Sequence, residues 1–270
     1  MKILLTNNDL NEALYDVSNL GFVPTMGSLH EGHISLIKKS LNECKHTIVS
    51  IFINPTQFNS RKDFKNYPKN ISKDLSILKK LKIDFLYIPK VKDVYNFKRK
   101  RSIKLKKNDK ILCAKFRQGH FEGVIDVIER LTRLINPQKI YMGEKDFQQL
   151  YLVNKYISKK YYTKIIPCKT IRSNNKLAFS SRNLLLTNKE LKQAEIISKE
   201  IFLFKKKLFK SRNIKNLITQ KKNELIGLFD INFDYFELRN KSNFKISNKV
   251  KNSKLFIAYH INKVRLIDNF

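Results

Sequence analysis

Apolar residues recur along the first 169 residues in two alternating patterns. Short β-branched or aromatic runs alternate with segments whose apolar side chains are three or four residues apart, as expected for strands followed by amphipathic helices. The predicted strands are 21–25, 46–53, 84–88, 139–142 and 164–167. The predicted helices are 33–44, 71–81, 124–135 and 147–157. Strictly alternating elements predict an α/β fold, a Rossmann-like doubly wound parallel sheet with helices on both faces.

The pattern changes near residue 170. Thr187 and Glu190 have the spacing of a capping box, and apolar residues on one helical face follow as far as Leu208. A second helix is predicted at 214–228, and strands at 233–238, 254–261 and 264–267, the last two joined by a tight turn at Asn262. The sequence therefore predicts a first domain at 1–169 and a smaller C-terminal α+β domain at 170–270.

Composition and charge narrow the class of protein. Hydrophobic residues make up 42% of the chain, which excludes a disordered protein. Fifty-five Lys and Arg against 23 Asp and Glu give a formal charge of +32, which first suggests a nucleic-acid or other anionic partner. However, lysines occur in almost every predicted element, and no alternation with aromatic residues provides base-stacking platforms. We therefore favour a general enrichment in lysine over a specific nucleic-acid partner, and interpret the dense runs at 98–110 and 205–212 as solvated faces or loops.

The cysteines and the lengths of the apolar segments indicate the cellular compartment of the protein. Cys44, Cys113 and Cys168 form no CxxC pair, which argues against a disulfide framework or a zinc ribbon and fits a reducing compartment. The apolar part of the amino terminus is too short for a signal peptide, and no run of about 18 apolar residues exists for a membrane span. We expect a cytoplasmic protein without a membrane partner.

Three segments rich in reactive side chains each follow directly after a predicted strand. They are PTMGSLHEGH at 24–33, NPTQF at 54–58 and GEKD at 143–146. Because ligands of doubly wound sheets bind at the carboxyl ends of the strands, these segments are expected to meet at one edge of the sheet.

His30 and His33 are expected at the start of a helix, where unpaired backbone N–H groups and the helix dipole favour anions. Imidazoles placed there can donate hydrogen bonds to phosphate oxygens, and Gly27 and Gly32 allow the backbone to approach a nucleotide. The alternative is a zinc-ligand pair, but no Cys or acidic third ligand is evident nearby. The HxGH pattern between strand and helix favours the phosphate role.

Two further groups suit anions. Lys145 can neutralise phosphate and Asp146 can hold Mg²⁺, although a Lys-Asp pair is more often a surface ion pair. Ser180, Ser181 and Arg182 offer hydroxyls and a guanidinium to phosphate oxygens, although the same residues could instead cap a helix.

Gln57 and Gln149 offer neutral amides, which both donate and accept hydrogen bonds. Two such amides could hold the carboxylate and hydroxyls of a small hydroxy acid without suppressing its nucleophilicity. Either glutamine taken alone is more simply interpreted as a solvated polar residue.

The ordered segments together resemble the pantoate–β-alanine ligase (pantothenate synthetase) family, within the HxGH nucleotidyltransferase superfamily. The resemblance covers nearly the whole chain, and the segments that carry it are VPTMGSLHEGH, VSIFINPTQF, Tyr67-Pro68, RQGHFEGV (117–124), GEKDFQQL (143–150), LAFSSRN (177–183) and RLIDN (265–269). The resemblance implies an ATP-dependent ligase that forms pantoyl adenylate and pyrophosphate, then transfers the pantoyl group to β-alanine, releasing AMP and pantothenate. It also implies Mg²⁺ and a homodimer.

The resemblance assigns site residues motif by motif. His33 would be the acid catalyst, His30 would share its phosphate contact, Gln57 would contact pantoate and border β-alanine, and Gln149 would contact pantoate. Asp146 would hold magnesium. The implied ATP contacts are Met26, Gly27, Ser28, Leu29, His30, Glu31, Gly32, His33, Gly143, Glu144, Lys145, Asp146, Ile171, Phe179, Ser180, Ser181 and Arg182. The C-terminal domain would close over the ATP site.

The chain departs from the family pattern at a few loop positions. Lys176 stands in place of a usual glycine, Gln118 in place of proline, and Phe179 in place of a smaller Leu or Met. Cys113-Ala114 replaces an acidic-glycine pair. None of these changes removes a charged or hydrogen-bonding catalytic group. The alternatives are another HxGH nucleotidyltransferase or part of a tRNA-charging enzyme, against which the two glutamines and the missing KMSKS-type string argue.

Overall fold

The computed structural model describes residues 1–95, 103–209, 211 and 213–270. These residues divide into two compact units, Met1–Lys169 and Thr170–Phe270. Of the two lysine-rich runs, residues 98–102, 210 and 212 lie outside the described residues. The lysines at 104, 106, 107, 110, 206 and 207 are exposed to solvent.

The described part of the first unit contains a parallel sheet of six strands. They are β1 (Lys2–Leu4), β2 (Leu20–Thr25), β3 (His46–Ile51), β4 (Phe85–Tyr87), β5 (Lys139–Gly143) and β6 (Lys164–Cys168). The strand order is β1-β4-β3-β2-β5-β6, and every pair is parallel. The predicted doubly wound α/β class is confirmed.

The helices of the first unit connect these strands. They are α1 (Asn7–Leu14), α2 (Glu31–Glu43), α3 (Arg61–Lys65), α4 (Ile71–Leu81), α5 (Val91–Val94), α6 (Cys113–Phe116), α7 (His120–Ile135), α8 (Phe147–Val153) and α9 (Lys159–Tyr161). Short 3₁₀ helices occur at Pro55–Gln57, Lys107–Asp109 and Glu144–Asp146, and a π-helical turn at Asn154–Ser158. Apolar faces of α2 and α4 pack with β2, β3 and β4 into a buried core.

The winding of the sheet changes direction at β2, which pairs with β3 on one side and β5 on the other. The chain builds outward from β2 through β3 and β4, then returns to place β5 and β6 on the opposite side. In folds of this type the carboxyl ends of the strands at such a switch point form the ligand crevice. The segments after β2, β3 and β5 all leave this edge, as the sequence predicts.

Several element boundaries differ from the prediction. Helix α2 begins at Glu31 and not at His33, because His30 is its N-cap. Strand β3 ends at Ile51, two residues early, and the helix predicted at 147–157 ends as α8 at Val153 before the π-helical turn. Strand β1 and helix α1 are not predicted, since a three-residue strand and a polar helix carry little apolar periodicity.

The second unit is α+β, as predicted. It contains α10 (Asn188–Leu208), α11 (Ile214–Phe229) and an antiparallel sheet of β7 (Asn232–Asn240), β8 (Ser253–Ile261) and β9 (Val264–Asn269). The capping box of Thr187 and Glu190 is present, and Asn262 adopts φ +49° in the turn between β8 and β9. Within the described residues, no helix is long and apolar enough to cross a membrane.

Candidate active site

The loop after β2 is tied to the neighbouring strand. The Thr25 hydroxyl donates to the backbone carbonyl of Ser50 in β3 at 2.8 Å and accepts from the Gly27 N–H at 3.1 Å. Gly27 has φ +79° and Ser28 has φ +53°, so the chain turns sharply as it leaves the strand. This turn directs the following residues towards the start of α2.

Asp74 of α4 fixes this turn, although it is not among the site residues predicted from the sequence. Its carboxylate accepts the N–H of Ser28 at 2.8 Å and of Leu29 at 2.7 Å, and the residue is 2% exposed. A Cβ at Gly27 would lie 3.0 Å from Asp74 Oδ2, so glycine suits both the dihedral angle and the space. The sequence does contain a sign of this role. Asp74 lies at helical spacing between Ile71 and Leu78, on the apolar face of the helix, and a carboxylate buried there needs a hydrogen-bond partner.

His30 and His33 lie side by side at the start of α2. His30 is the N-cap, and its Nδ1 accepts the N–H of Gly32 at 3.1 Å. The two imidazole rings have centroids 4.0 Å apart and are tilted by 33°. Because Nδ1 of His30 accepts, its neutral ring carries the proton on Nε2, which can donate to a ligand.

Burial and nearby positive charge keep both imidazoles neutral. Burial, together with Lys145, lowers the pKa of His30 to about 4, and Asp146 opposes this shift. Burial, His30 and Lys145 hold the pKa of His33 well below its usual range. His33 Nδ1 is buried and has no hydrogen-bond partner among the described residues. Near neutral pH the pair therefore offers uncharged donors, and a bound polyanion would raise both pKa values.

The segment after β5 adds charge to the same place. Lys145 lies in the 3₁₀ helix Glu144–Asp146, and its Nζ is 3.4 Å from Asp146 Oδ1. The Lys145 side chain is 17% exposed and that of Asp146 is 43% exposed. Because β2 and β5 are neighbouring parallel strands, the segments that follow them leave the sheet side by side, and Lys145 helps to lower the pKa of both histidines. The ion pair expected as the simpler interpretation is also present.

Gln57 joins the segment after β3 to the segment after β2. Its side chain is buried; Nε2 donates to Met26 Sδ at 2.9 Å, and Oε1 accepts from Asn54 Nδ2 at 3.0 Å. Three of the predicted site segments, after β2, β3 and β5, therefore meet at the switch point of the sheet.

His120 and Arg117 support Gln57 from the start of α7. His120 is buried, and its Nδ1 lies 2.7 Å from the backbone carbonyl of Gln57 and therefore donates to it. Arg117 Nη1 lies 2.8 Å from His120 Nε2 and donates to that nitrogen. Both residues lie in a segment that carries the family resemblance, but contacts across 63 residues of sequence could not be inferred from it.

Gln149 lies on α8, three residues after Asp146. It is half-buried, and its amide makes no hydrogen bond within the described residues. Its amide is therefore available to a ligand.

The predicted residues of the second unit cluster locally. The Phe179 N–H donates to the Ile171 carbonyl at 3.1 Å, which places these two residues opposite each other. The turn between them contains Lys176 at φ +70°, a conformation that explains the glycine usual in the family. Ser180 Oγ accepts from the Arg182 N–H at 3.3 Å and caps the 3₁₀ helix Ser181–Leu185, so the capping interpretation is correct for Ser180.

Within the described residues, no group of three or more His, Cys, Asp and Glu side chains could hold a metal ion. The zinc-pair interpretation of His30 and His33 therefore has no third ligand in this part of the chain. Asp146 offers a single carboxylate.

The fold and the site define an α/β protein of the nucleotide-binding class, with two histidines and a lysine at the switch point. The family model described as pantoate-beta-alanine ligase matches residues 2–270. The chain belongs to the pantoate–β-alanine ligase family and is accordingly a ligase that forms an amide bond.

The chain is similar to named pantothenate synthetases over nearly its whole length. The chain is 41% identical to the pantothenate synthetase of Flavobacterium psychrophilum, covering 96% of this chain and 94% of that one. It is 38% identical to that of Helicobacter acinonychis, covering 100% and 99%. A crystal structure of pantothenate synthetase from Thermus thermophilus matches with a TM-score of 0.94 at 28% identity, covering 100% and 99%. The Francisella tularensis ligase, complexed with β-γ ATP and β-alanine, matches with a TM-score of 0.85 at 36% identity, covering 100% and 97%.

Proposed function

We propose that this chain condenses (R)-pantoate with β-alanine at the expense of ATP, through a pantoyl-adenylate intermediate, and so makes pantothenate, a precursor of coenzyme A. The observation that carries the proposal is that one loop, in a chain of this family, joins all three segments: its His30 and His33 neighbour Lys145, and its Met26 contacts Gln57. The groups that can bind phosphate and the amide group of Gln57 thus come from the segments that follow three neighbouring strands.

In the first step a pantoate carboxylate oxygen bonds to the α-phosphorus of ATP, and pyrophosphate leaves. Negative charge builds on the phosphate oxygens, so donors already in place stabilise the transition state without reorganising. His30 would donate through Nε2–H, since its Nδ1 is occupied by Gly32. Lys145 and the amino-terminal end of α2 add positive charge. His33 would be the acid catalyst.

In the second step the amine of β-alanine attacks the acyl carbon of the adenylate. A C–N bond forms, the C–O bond to AMP breaks, and the amine loses a proton. Gln57 would contact pantoate and border β-alanine, and Gln149 would contact pantoate. Gln57 is buried, and a closed site around it would keep water from the reactive anhydride.

Mg²⁺ is proposed as the metal that accompanies ATP, with Asp146 as its protein ligand. Magnesium commonly takes one or two carboxylates and completes its octahedral shell with phosphate oxygens and water. The Asp146 carboxylate fits this use, because its side chain is 43% exposed and Lys145 faces Oδ1, which leaves Oδ2 for the ion. The bound ion would neutralise phosphate charge.

The remaining site residues are proposals from the resemblance. The first unit, 1–169, would bind pantoate and the nucleotide, and the second, 170–270, would add nucleotide contacts. The proposed ATP contacts are Met26, Gly27, Ser28, Leu29, His30, Glu31, Gly32, His33, Gly143, Glu144, Lys145, Asp146, Ile171, Phe179, Ser180, Ser181 and Arg182.

A homodimer in the cytoplasm is also proposed. The dimer rests on the family resemblance, and three free cysteines are compatible with a reducing compartment. Sedimentation equilibrium of the purified chain would give the dimer mass of about twice 32.0 kDa if the proposal is correct. A single species at the chain mass would contradict it.

The products of the reaction test the function directly. Purified protein with ATP, Mg²⁺, pantoate and β-alanine should form AMP, pyrophosphate and pantothenate in equal amounts. Omission of β-alanine should leave only the adenylation half-reaction, which exchange of labelled pyrophosphate into ATP detects. Formation of ADP without AMP would overturn the proposal.

The role of His33 is tested by His33→Ala. We expect kcat to fall by about 10²–10⁴-fold, because a group that stabilises or protonates the reacting phosphates contributes in that range. His46→Ala is the matched control, since His46 lies at the amino end of β3 beside Asp84. Near-normal turnover of His33→Ala, with His46→Ala also normal, would remove His33 from the mechanism.

A further inference from the structure

The side-chain amide of Asn54 can take only one orientation. Its Oδ1 accepts the backbone N–H of Thr56 at 3.2 Å, and its Nδ2 donates to the backbone carbonyl of Gly123 at 3.1 Å. A backbone N–H can only donate and a carbonyl can only accept, so these two bonds decide which end is oxygen. Asn54 is 1% exposed, so solvent offers no alternative partners.

The orientation of the Asn54 amide determines that of the Gln57 amide. Asn54 Nδ2 also donates to Gln57 Oε1 at 3.0 Å, so the oxygen of Gln57 is turned towards Asn54. Gln57 Nε2 is left facing Met26 Sδ at 2.9 Å, and a thioether is a weak acceptor. The NH₂ group therefore keeps its capacity to donate to a stronger acceptor on that side.

Tyr95, at the end of α5, holds Asn54 from the far side. Its hydroxyl donates to Asn54 Oδ1 at 2.7 Å, while the Thr56 hydroxyl donates to the same oxygen at 3.1 Å. The Tyr95 ring lies under the Arg130 guanidinium, 4.7 Å from its centroid, and Arg130 forms a salt bridge with Asp126 on α7. The tyrosine is therefore fixed by contacts outside the site.

We propose that Tyr95 and Asn54 are positioning residues that hold the Gln57 amide with its N–H donors towards pantoate. The inference rests on the proposed function, since pantoate is taken as the ligand of Gln57. Pantoate presents a carboxylate, which only accepts hydrogen bonds, and a reversed amide would set a carbonyl oxygen against it. The orientation is thus a specificity device for an oxygen-rich hydroxy acid.

The first test is Tyr95→Phe, which removes only the hydroxyl. The KM for pantoate should rise about 3–10-fold, as expected for one weakened hydrogen bond, while kcat and the KM for ATP stay within about two-fold. Tyr87→Phe is the control, because it removes a hydroxyl that donates to Asn7 instead. An unchanged pantoate KM in Tyr95→Phe, or equal changes for both substrates, would overturn the inference.

The second test compares Asn54→Asp with Asn54→Ala. Aspartate keeps the shape of Asn54 but replaces its donor by an acceptor, so Gln57 is driven into the reversed orientation. Alanine only removes the restraint. We expect the pantoate KM to be at least about 10-fold higher in Asn54→Asp than in Asn54→Ala, with both folded by circular dichroism. A purely packing role predicts the opposite order, and that order would overturn the inference.

The wild-type reaction separates the two proposals. If the wild-type chain forms no AMP and pantothenate, the proposed function fails. If it does form them, and Tyr95→Phe shows no selective change in pantoate KM, only the positioning inference fails. Tyr95→Phe keeps the inference falsifiable even if neither Asn54 variant folds.

Discussion

At the residue scale, the two histidines owe their character to their surroundings. A free imidazole is partly protonated near neutral pH, but burial and Lys145 favour the uncharged form of His30 and His33. The cap that His30 makes with Gly32 then selects the tautomer. The pair is arranged to meet a polyanion with directed N–H groups, and to gain charge only as the polyanion arrives.

The low pKa of His30 predicts a loss of stability in acid. Above about pH 6.5 both the folded and the unfolded states hold it neutral, so it contributes no pH dependence. As pH falls from about 6.5 towards 4, the unfolded state binds a proton that the folded state does not, and the free energy of unfolding falls. The loss from His30 at pH 5, relative to neutral pH, should be about 2 kcal/mol.

Urea unfolding of wild type and His30→Asn between pH 7.5 and 4.5 measures this loss. Asparagine is a good N-cap, so the helix start is kept while the titrating ring is removed. The variant should show the shallower decline. Parallel curves for the two proteins would contradict a lowered pKa at His30.

Lys176 carries a second prediction at this scale, because it adopts φ +70°. Lys176→Gly should be more stable than Lys176→Ala by about 1 kcal/mol, since both lose the contact with the Phe202 ring but only alanine keeps the left-handed strain. At Lys192, in the exposed face of α10, alanine should instead be favoured over glycine by about 1 kcal/mol. Denaturant unfolding of the four variants measures both differences. If the glycine variant is less stable than the alanine variant at both positions, Lys176 is not strained.

At the element scale, the site forms around the loop that follows β2. Asp74 on α4 bonds to this loop, and the segments after β3 and β5 lie beside it. The sequence predicted most strands and helices, because their apolar periodicity is local. It predicted that His30, Gln57 and Lys145 would converge, because parallel strands share a carboxyl edge. It did not predict Asp74 or His120 as supports, because their partners lie 46 and 63 residues away and hydrogen bonds across such distances leave no periodic trace.

Asp74 is expected to matter for both stability and ATP. In Asp74→Asn, one end of the amide can accept an N–H, but the other places an NH₂ group against the second one. We expect the free energy of unfolding to fall by about 1–3 kcal/mol and the KM for ATP to rise, because the turn at Ser28 and Leu29 loses its anchor. Denaturant unfolding and initial-rate kinetics measure the two effects.

Asp84→Asn is the matched control for this prediction. Asp84 also accepts a backbone N–H, that of Thr47 at 2.8 Å, but at the amino end of β3. The control should lower stability without changing the KM for ATP. If Asp74→Asn loses stability to the same extent and its KM for ATP is also unchanged, the contact of Asp74 with Ser28 and Leu29 does not serve the proposed nucleotide site.

At the scale of the whole molecule, the charge of +32 is separate from the proposed site chemistry. Lys145 is mostly buried and neighbours the histidines, whereas lysines such as Lys206 and Lys207 are exposed on the last turn of α10. Their charge attracts any polyanion at long range, and salt screens that attraction. Binding that arises from it should be strong at low salt and independent of the active site.

Nucleic-acid binding should therefore fall steeply with salt and disappear at about 0.15 M, because it depends on counterion release alone. Gel shifts of a short RNA duplex from about 0.02 to 0.2 M salt, with and without ATP, measure it. Lys206→Glu combined with Lys207→Glu should weaken the low-salt shift, since both side chains are exposed, while leaving the KM for ATP unchanged. A shift that persists at about 0.15 M salt and survives this double substitution would instead indicate a dedicated nucleic-acid surface, and the charge would then need a functional explanation of its own.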